Sequence, residues 1–133
     1  MNSKQLPWIV TSVAVVALAG VLVAQKMGTA THHPDPRAGI TGATVVPASN
    51  WNFEPIVRAY TAAAQNAQVI DGLFCYCQCK QNVGHRSLLT CFETEHGSAC
   101  DICQGEAVLA AQMHGRGATL DQIRQEVDRQ FGS

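Results

Sequence analysis

Cysteines occupy every second position of Phe74-Cys75-Tyr76-Cys77-Gln78-Cys79, and Cys91, Cys100 and Cys103 follow at short intervals. These six are all the cysteines of a 133-residue chain, and His85 and His96 lie among them. Sulfur chemistry, as metal ligation or as disulfide cross-links, must therefore organise whatever this region folds into. A core of about eighty residues is small, and domains of that size commonly need disulfides or a metal to stay folded.

The N-terminus sets the compartment. Lys4 stands in a short polar lead, residues 1–5, and Leu6 to Ala24 follow without a charge. As a helix those nineteen residues would reach roughly 28 Å, close to the hydrocarbon thickness of a bilayer. The charge ahead of the run predicts a cytoplasmic N-terminus and an extracytoplasmic remainder in a single-pass membrane protein. Cleavage near Leu22-Val23-Ala24 would instead release a secreted domain. No cysteine follows the run closely, so no lipoprotein anchor is expected. Either way the cysteines are exported. Residues 25–50 are small, polar and rich in Pro and Gly, and read as a flexible linker in which His32 and His33 are solvated.

Residues 51–133 read as the folded domain, all-α, with about three helices and a cysteine-rich loop. Glu54-Pro55 suits a helix start, and Ile56, Ala59, Tyr60, Ala63, Ala67 and Ile70 recur at helical spacing before Asp71-Gly72 closes the element. A short helix is expected at Ser87 to Phe92. Ser98 with Asp101 resembles a capping box ahead of a helix over Ile102 to His114, and Gly115-Arg116-Gly117 breaks it. Thr119 with Gln122 caps a final helix whose Leu120, Ile123, Val127 and Phe131 share a face. No strand pattern is present.

In an extended backbone Cys75, Cys77 and Cys79 project to one side. Their thiolates, with Cys91 closing the set, form a candidate clasp for a soft ion, and soft thiolates favour Cu(I) and Zn(II). His85, His96, Cys100 and Cys103 are further candidate ligands. Alternating thiols accommodate low-coordinate Cu(I), whereas structural zinc prefers four tetrahedral donors, so copper(I) is favoured and zinc is the rival. Three disulfides are the competing expectation for an exported domain with six cysteines. Residues as close as Cys75, Cys77 and Cys79 are expected to bridge one another poorly, so each would need a partner among Cys91, Cys100 and Cys103. Cys100-Asp101-Ile102-Cys103 also has the spacing of a thiol redox pair at a helix start, though the strand-helix alternation of thioredoxin-like domains is missing.

Other chemistries are excluded. Gln104 follows Cys103 where haem attachment requires histidine. No phosphate loop, nucleophile elbow or HExxH zinc motif occurs. A net charge of −1 offers no basic field for nucleic acid. Glu93 and Glu95 read as surface residues, and Met113 as core.

The cysteine motif, with Gly84-His85-Arg86-Ser87-Leu88, Cys91-Phe92-Glu93, His96-Gly97, Cys100-x-x-Cys103 and Glu106-Ala107, resembles the PCYCGC-motif proteins, small exported bacterial proteins that are often lipoproteins. Phe74 and Gln78 replace the motif's proline and glycine, which predicts a less sharply turned loop. The resemblance implies an envelope-facing, metal-binding domain. Together these observations predict a membrane-tethered metal-handling protein whose partners are the bilayer, through residues 6–24, and a metal-exchange protein or membrane complex. A disulfide-stapled or zinc-stapled accessory module and a thiol-disulfide oxidoreductase are the alternatives.

Overall fold

The computed structural model describes residues 32–132. Those residues form α-helices and 3₁₀ turns without a strand. The helices are α1 (Glu54–Gln65), α2 (Ala67–Asp71), α3 (Cys79–Asn82), α4 (Leu88–Phe92), α5 (Asp101–Gly115) and α6 (Leu120–Phe131). The expected membrane segment and the first part of the linker lie outside the described residues. Among those described, no helix is long and apolar enough to cross a membrane.

The helical stripe read from sequence is real but interrupted. Asn66, at φ −126° and ψ 32°, separates α1 from α2, and its side-chain amide donates to the Ala62 carbonyl at 3.0 Å. Self-bonding of this kind is how asparagine competes with a helix ladder. The stripe still delivers Ala59, Tyr60, Ala63 and Ile70 to the core, where Tyr60 meets Phe92 edge-on at 5.0 Å. Leu88 and Leu89 of α4, Ala107 and Ala110 of α5, and Ile123 and Val127 of α6 complete that core.

The capping box at Thr119 and Gln122 forms as expected. The one expected at Ser98 does not. Ser98 donates instead to the Glu95 carbonyl at 2.7 Å, inside a 3₁₀ turn Glu95–Ala99 that Thr94 caps, and Cys100 takes the N-cap position of α5 without a side-chain bond.

Residues 32–50 are not a free tether. They strap across the helices, because their few side chains have specific buried partners that composition does not reveal. Val45 is buried, and the Val46 N–H donates to the Phe92 carbonyl at 2.9 Å. Gly42, in the 3₁₀ turn Gly42–Thr44, lies so close to the end of α1 that a Cβ there would collide with the Ala64 carbonyl.

Arg37 donates through its backbone N–H to Asp71 at 2.7 Å and through its guanidinium to both Asp71 oxygens at 2.8 to 3.2 Å. It also reaches Glu93 at 2.9 Å, so Glu93 belongs to a charge network rather than to free surface. Asp71 is fully buried and further holds Arg86 at 2.9 Å and Ser87 at 2.7 Å. Burial works against its charge, but hydrogen bonds from Arg37 and then Ser87 hold its carboxyl below the ordinary range. His33, expected to be solvated, has a side chain only 1% exposed.

Candidate metal centre

The cysteine motif is a turn rather than an extended strip. Gln78 takes the left-handed conformation, at φ 62° and ψ 23°, and opens α3. That conformation favours glycine, the residue the motif carries at this place, yet Gln78 adopts it, so the loop turns sharply despite the substitution. Its consequence contradicts the expected poor bridging of near neighbours. The reversal brings the Cα atoms of Cys77 and Cys79 to 5.5 Å, an ordinary disulfide span, and their sulfurs are bonded. Cys75, Cys91, Cys100 and Cys103 are not in disulfides.

Five sulfurs converge. Those of Cys75, Cys77, Cys79, Cys91 and Cys103 all lie within 4.8 Å of one another. Three make a near-equilateral triangle, with Cys75 to Cys77 at 3.1 Å, Cys75 to Cys103 at 3.2 Å and Cys77 to Cys103 at 3.3 Å. Cys91 stands 3.8 Å from Cys75. Cys75 and Cys77 come from the turn, Cys79 from the start of α3, Cys91 from α4 and Cys103 from the first turn of α5. All but Cys77 are buried. Cys103, ranked second from sequence, is thus as central as Cys75. Cys100 lies outside the group of five, and neither it nor Cys103, its partner in the alternative redox reading, is in a disulfide.

The histidines flank the sulfurs. His96 Nε2 lies 3.1 Å from Cys79 Sγ, and His85 Nδ1 lies 3.2 Å from Cys91 Sγ. With Cys79 they form a second group whose ligand atoms are mutually within 4.8 Å. Gly84, at φ 73°, reverses the chain after α3, so that the His85 N–H donates back to the Cys79 carbonyl at 3.3 Å. Burial, and next the neighbouring His96, hold the His85 imidazole below its ordinary value, in the neutral form that ligates metals.

Protons in the cluster are shared unequally. Hydrogen bonds from Cys103 and then Cys91 bring the Cys75 thiol down to about 3. Cys103 is raised correspondingly by its hydrogen bonds to Cys75 and Cys91. Cys91 is lowered by its contact with Cys103 but raised more by Cys75 and by burial. One thiolate at Cys75 is thereby solvated by neighbouring thiols.

Glu106, fully buried on α5 three residues after Cys103, faces the same cluster. Its Oε1 accepts the Tyr76 N–H at 2.9 Å, while Oε2 has no partner. Burial, and next the Cys75 charge, push Glu106 up to about 10. From sequence this residue enters only as part of the family motif, with no role at the site, although its i, i+3 spacing from Cys103 places both on one helix face. Glu95, also considered from sequence, is exposed.

A buried set of neutral-ready thiols, two imidazoles and a carboxyl with an unpaired oxygen has the donors and the placement to hold a metal ion. The first of these groups is soft enough to select thiophilic metals. The nearby group His32, His33 and Asp128 does not suit one. His33 Nδ1 accepts the Phe74 N–H at 2.8 Å, so its proton sits on Nε2 and points at Asp128, 2.8 Å away. The Tyr76 hydroxyl donates to the same Asp128 oxygen at 2.6 Å. This cluster clamps the strap and the cysteine turn onto α6.

The sequence matches the family described as "Protein of unknown function with PCYCGC motif" over residues 25–133. The chain belongs to the PCYCGC-motif family. No curated protein and no solved structure matches it. The family's reach extends upstream of Trp51, in keeping with a strap that is part of the domain.

Proposed function

We propose that this PCYCGC-motif protein is a membrane-tethered, extracytoplasmic metal-handling protein that binds Cu(I) through its clustered thiolates. The observation that carries the reading is the convergence of five sulfurs, four of them on buried residues and three in a triangle with sides of 3.1 to 3.3 Å. Once the Cys77–Cys79 bond is reduced, placing an ion about 2.3 Å from each sulfur of the triangle would move each of them by only about half an ångström. Three sulfur donors suit low-coordinate Cu(I), and zinc would take a fourth from Cys91 or Cys79. Binding would displace the thiol protons that Cys91 and Cys103 now share with Cys75. The uncharged run Leu6 to Ala24 supplies the tether in this reading, and a metal-exchange protein of the envelope is the partner.

Native mass spectrometry of the full-length chain isolated from the cell envelope, with thiol alkylation before and after denaturation, tests the proposal. The expected result is a mass excess of copper, with at least four cysteines alkylated only after denaturation. Replacing Cys103 by Ser is expected to weaken copper binding at least tenfold while helicity is kept. A fully reduced chain that takes up neither copper nor zinc sinks the reading.

The bonded Cys77 and Cys79 favour a second reading, thiol-disulfide exchange. The Cys75 thiolate, 3.1 Å from Cys77 Sγ, would form a bond to that sulfur, breaking the bond to Cys79, which leaves as a thiolate. Turnover on a disulfide peptide that is abolished by Cys75→Ser, in metal-free protein, would select it.

A further inference from the structure

The seven donors around the cluster outnumber what one ion can take; the five sulfurs all lie within 4.8 Å of one another, and it is the two histidines, which approach Cys79 and Cys91, that divide the set. On one side stand Cys75, Cys77 and Cys103, mutually 3.1 to 3.3 Å apart. On the other stand Cys79 with His96 at 3.1 Å and Cys91 with His85 at 3.2 Å. The two imidazole rings meet edge to face with centroids 4.9 Å apart, and one nitrogen of each lies within 4.8 Å of the other and of Cys79 Sγ.

We propose that the cluster holds two metal ions, the second in a site made by Cys79, Cys91, His85 and His96. This rests on the thiolate metal-binding reading and adds a distinct position to it. Two sulfurs and two imidazole nitrogens form the donor set that suits a tetrahedral divalent ion such as Zn(II), whereas the all-sulfur triangle suits Cu(I).

Local backbone supports the division. His85 is tied to Cys79 through its N–H, and the His96 N–H is tied to Thr94 Oγ1 at 3.2 Å. His85 is thereby held beside Cys79, the other cysteine of the same site, and His96 is held within its own turn, in both cases by bonds that do not involve the sulfurs. Each position has a buried floor and a half-buried rim: in the triangle Cys75 and Cys103 are buried and Cys77 is half-buried, and in the other Cys79 and Cys91 are buried while His85 and His96 are half-buried. The contact between Cys75 and Cys91 at 3.8 Å joins the two positions.

Metal stoichiometry of the reduced full-length chain decides the matter, with Zn(II), Co(II) and chelator-buffered Cu(I) as probes and native mass spectrometry as the readout. The expected result is two ions at saturation. Co(II) is expected to give the visible bands of a tetrahedral site with both sulfur and nitrogen donors. The double variant His85→Ala/His96→Ala is expected to hold one ion and lose the Co(II) bands. Cys103→Ser is expected to keep those bands while binding Cu(I) at least tenfold more weakly. One ion bound by the wild-type chain overturns the proposal without reference to any variant, and so do two ions retained by the double histidine variant. If no ion binds at all, the metal-handling reading falls with it, an outcome distinct from a count of one.

Discussion

Asp71 shows how far one side chain can govern this molecule. It is fully buried, yet it receives Arg37, Arg86 and Ser87, so its charge is compensated from three separate segments. Arg37 and Arg86 keep 37% and 41% of their side chains exposed, so losing Asp71 removes charge-assisted hydrogen bonds, each worth about 1.5–3 kcal/mol, rather than stranding a buried cation. Asp71→Asn is accordingly expected to destabilise the fold by an amount of that order, measured by urea denaturation at pH 7. The pH dependence follows from the lowered carboxyl. A carboxylate with a folded value below its unfolded value contributes its stability fully above the unfolded value, about 4. That contribution disappears as pH falls through the folded value. As pH is lowered from about 5 towards the folded value the wild type is therefore expected to lose stability progressively, and Asp71→Asn to lose distinctly less. Equal acid sensitivity in the two proteins would mean that Asp71 is not the group responsible.

At the scale of elements, periodicity and caps were informative where the governing forces are local. The α1 stripe, the capping box at Thr119 and the absence of strands among the described residues all follow from short-range patterns that a sequence displays directly. The break at Asn66 and the failed cap at Ser98 turn on which of two hydrogen bonds a short polar side chain prefers, and packing decides that. The strap was hidden for another reason. Its affinity for the helices resides in pairings such as Arg37 with Asp71 and His33 with Asp128, each spanning many residues of sequence. Its glycine content suggested freedom, but Gly42 serves close approach, since α1 leaves no room for a Cβ. Gly42→Ala is expected to lift the 3₁₀ turn off α1 and lower stability by about 1–3 kcal/mol, as overpacking does. Hydrogen exchange should show faster exchange at the Val46 amide, which donates to Phe92, with the amides of α5 unaffected. Unchanged protection at Val46 would mean that the turn accommodates the methyl group.

The cluster belongs to the molecule as a whole, because its donors come from the cysteine turn, α3, the loop that follows it, α4, the 3₁₀ turn at Glu95–Ala99 and α5. Spacing in sequence identified seven of its residues as candidates, and it could not show that Cys103 faces inward while Cys100 does not. That choice is made by the register of α5, where Cys103 and Glu106 share the buried face and Cys100 stands at the end. The same convergence makes the state of one bond decisive. Cys77 belongs to the sulfur triangle and Cys79 to the histidine site, so the Cys77–Cys79 disulfide removes a donor from each position at once. A dithiol reductant supplies two electrons and two protons, restoring both thiols and leaving with a disulfide of its own. Oxidised full-length chain is therefore expected to bind less than one equivalent of Cu(I) or Zn(II). Treatment with dithiothreitol, followed by its removal before metal is added, should restore two equivalents by metal analysis. An oxidised chain with confirmed Cys77–Cys79 linkage that still binds two ions would show that neither sulfur is needed as a ligand, and both positions would have to be redrawn around Cys75, Cys91 and Cys103.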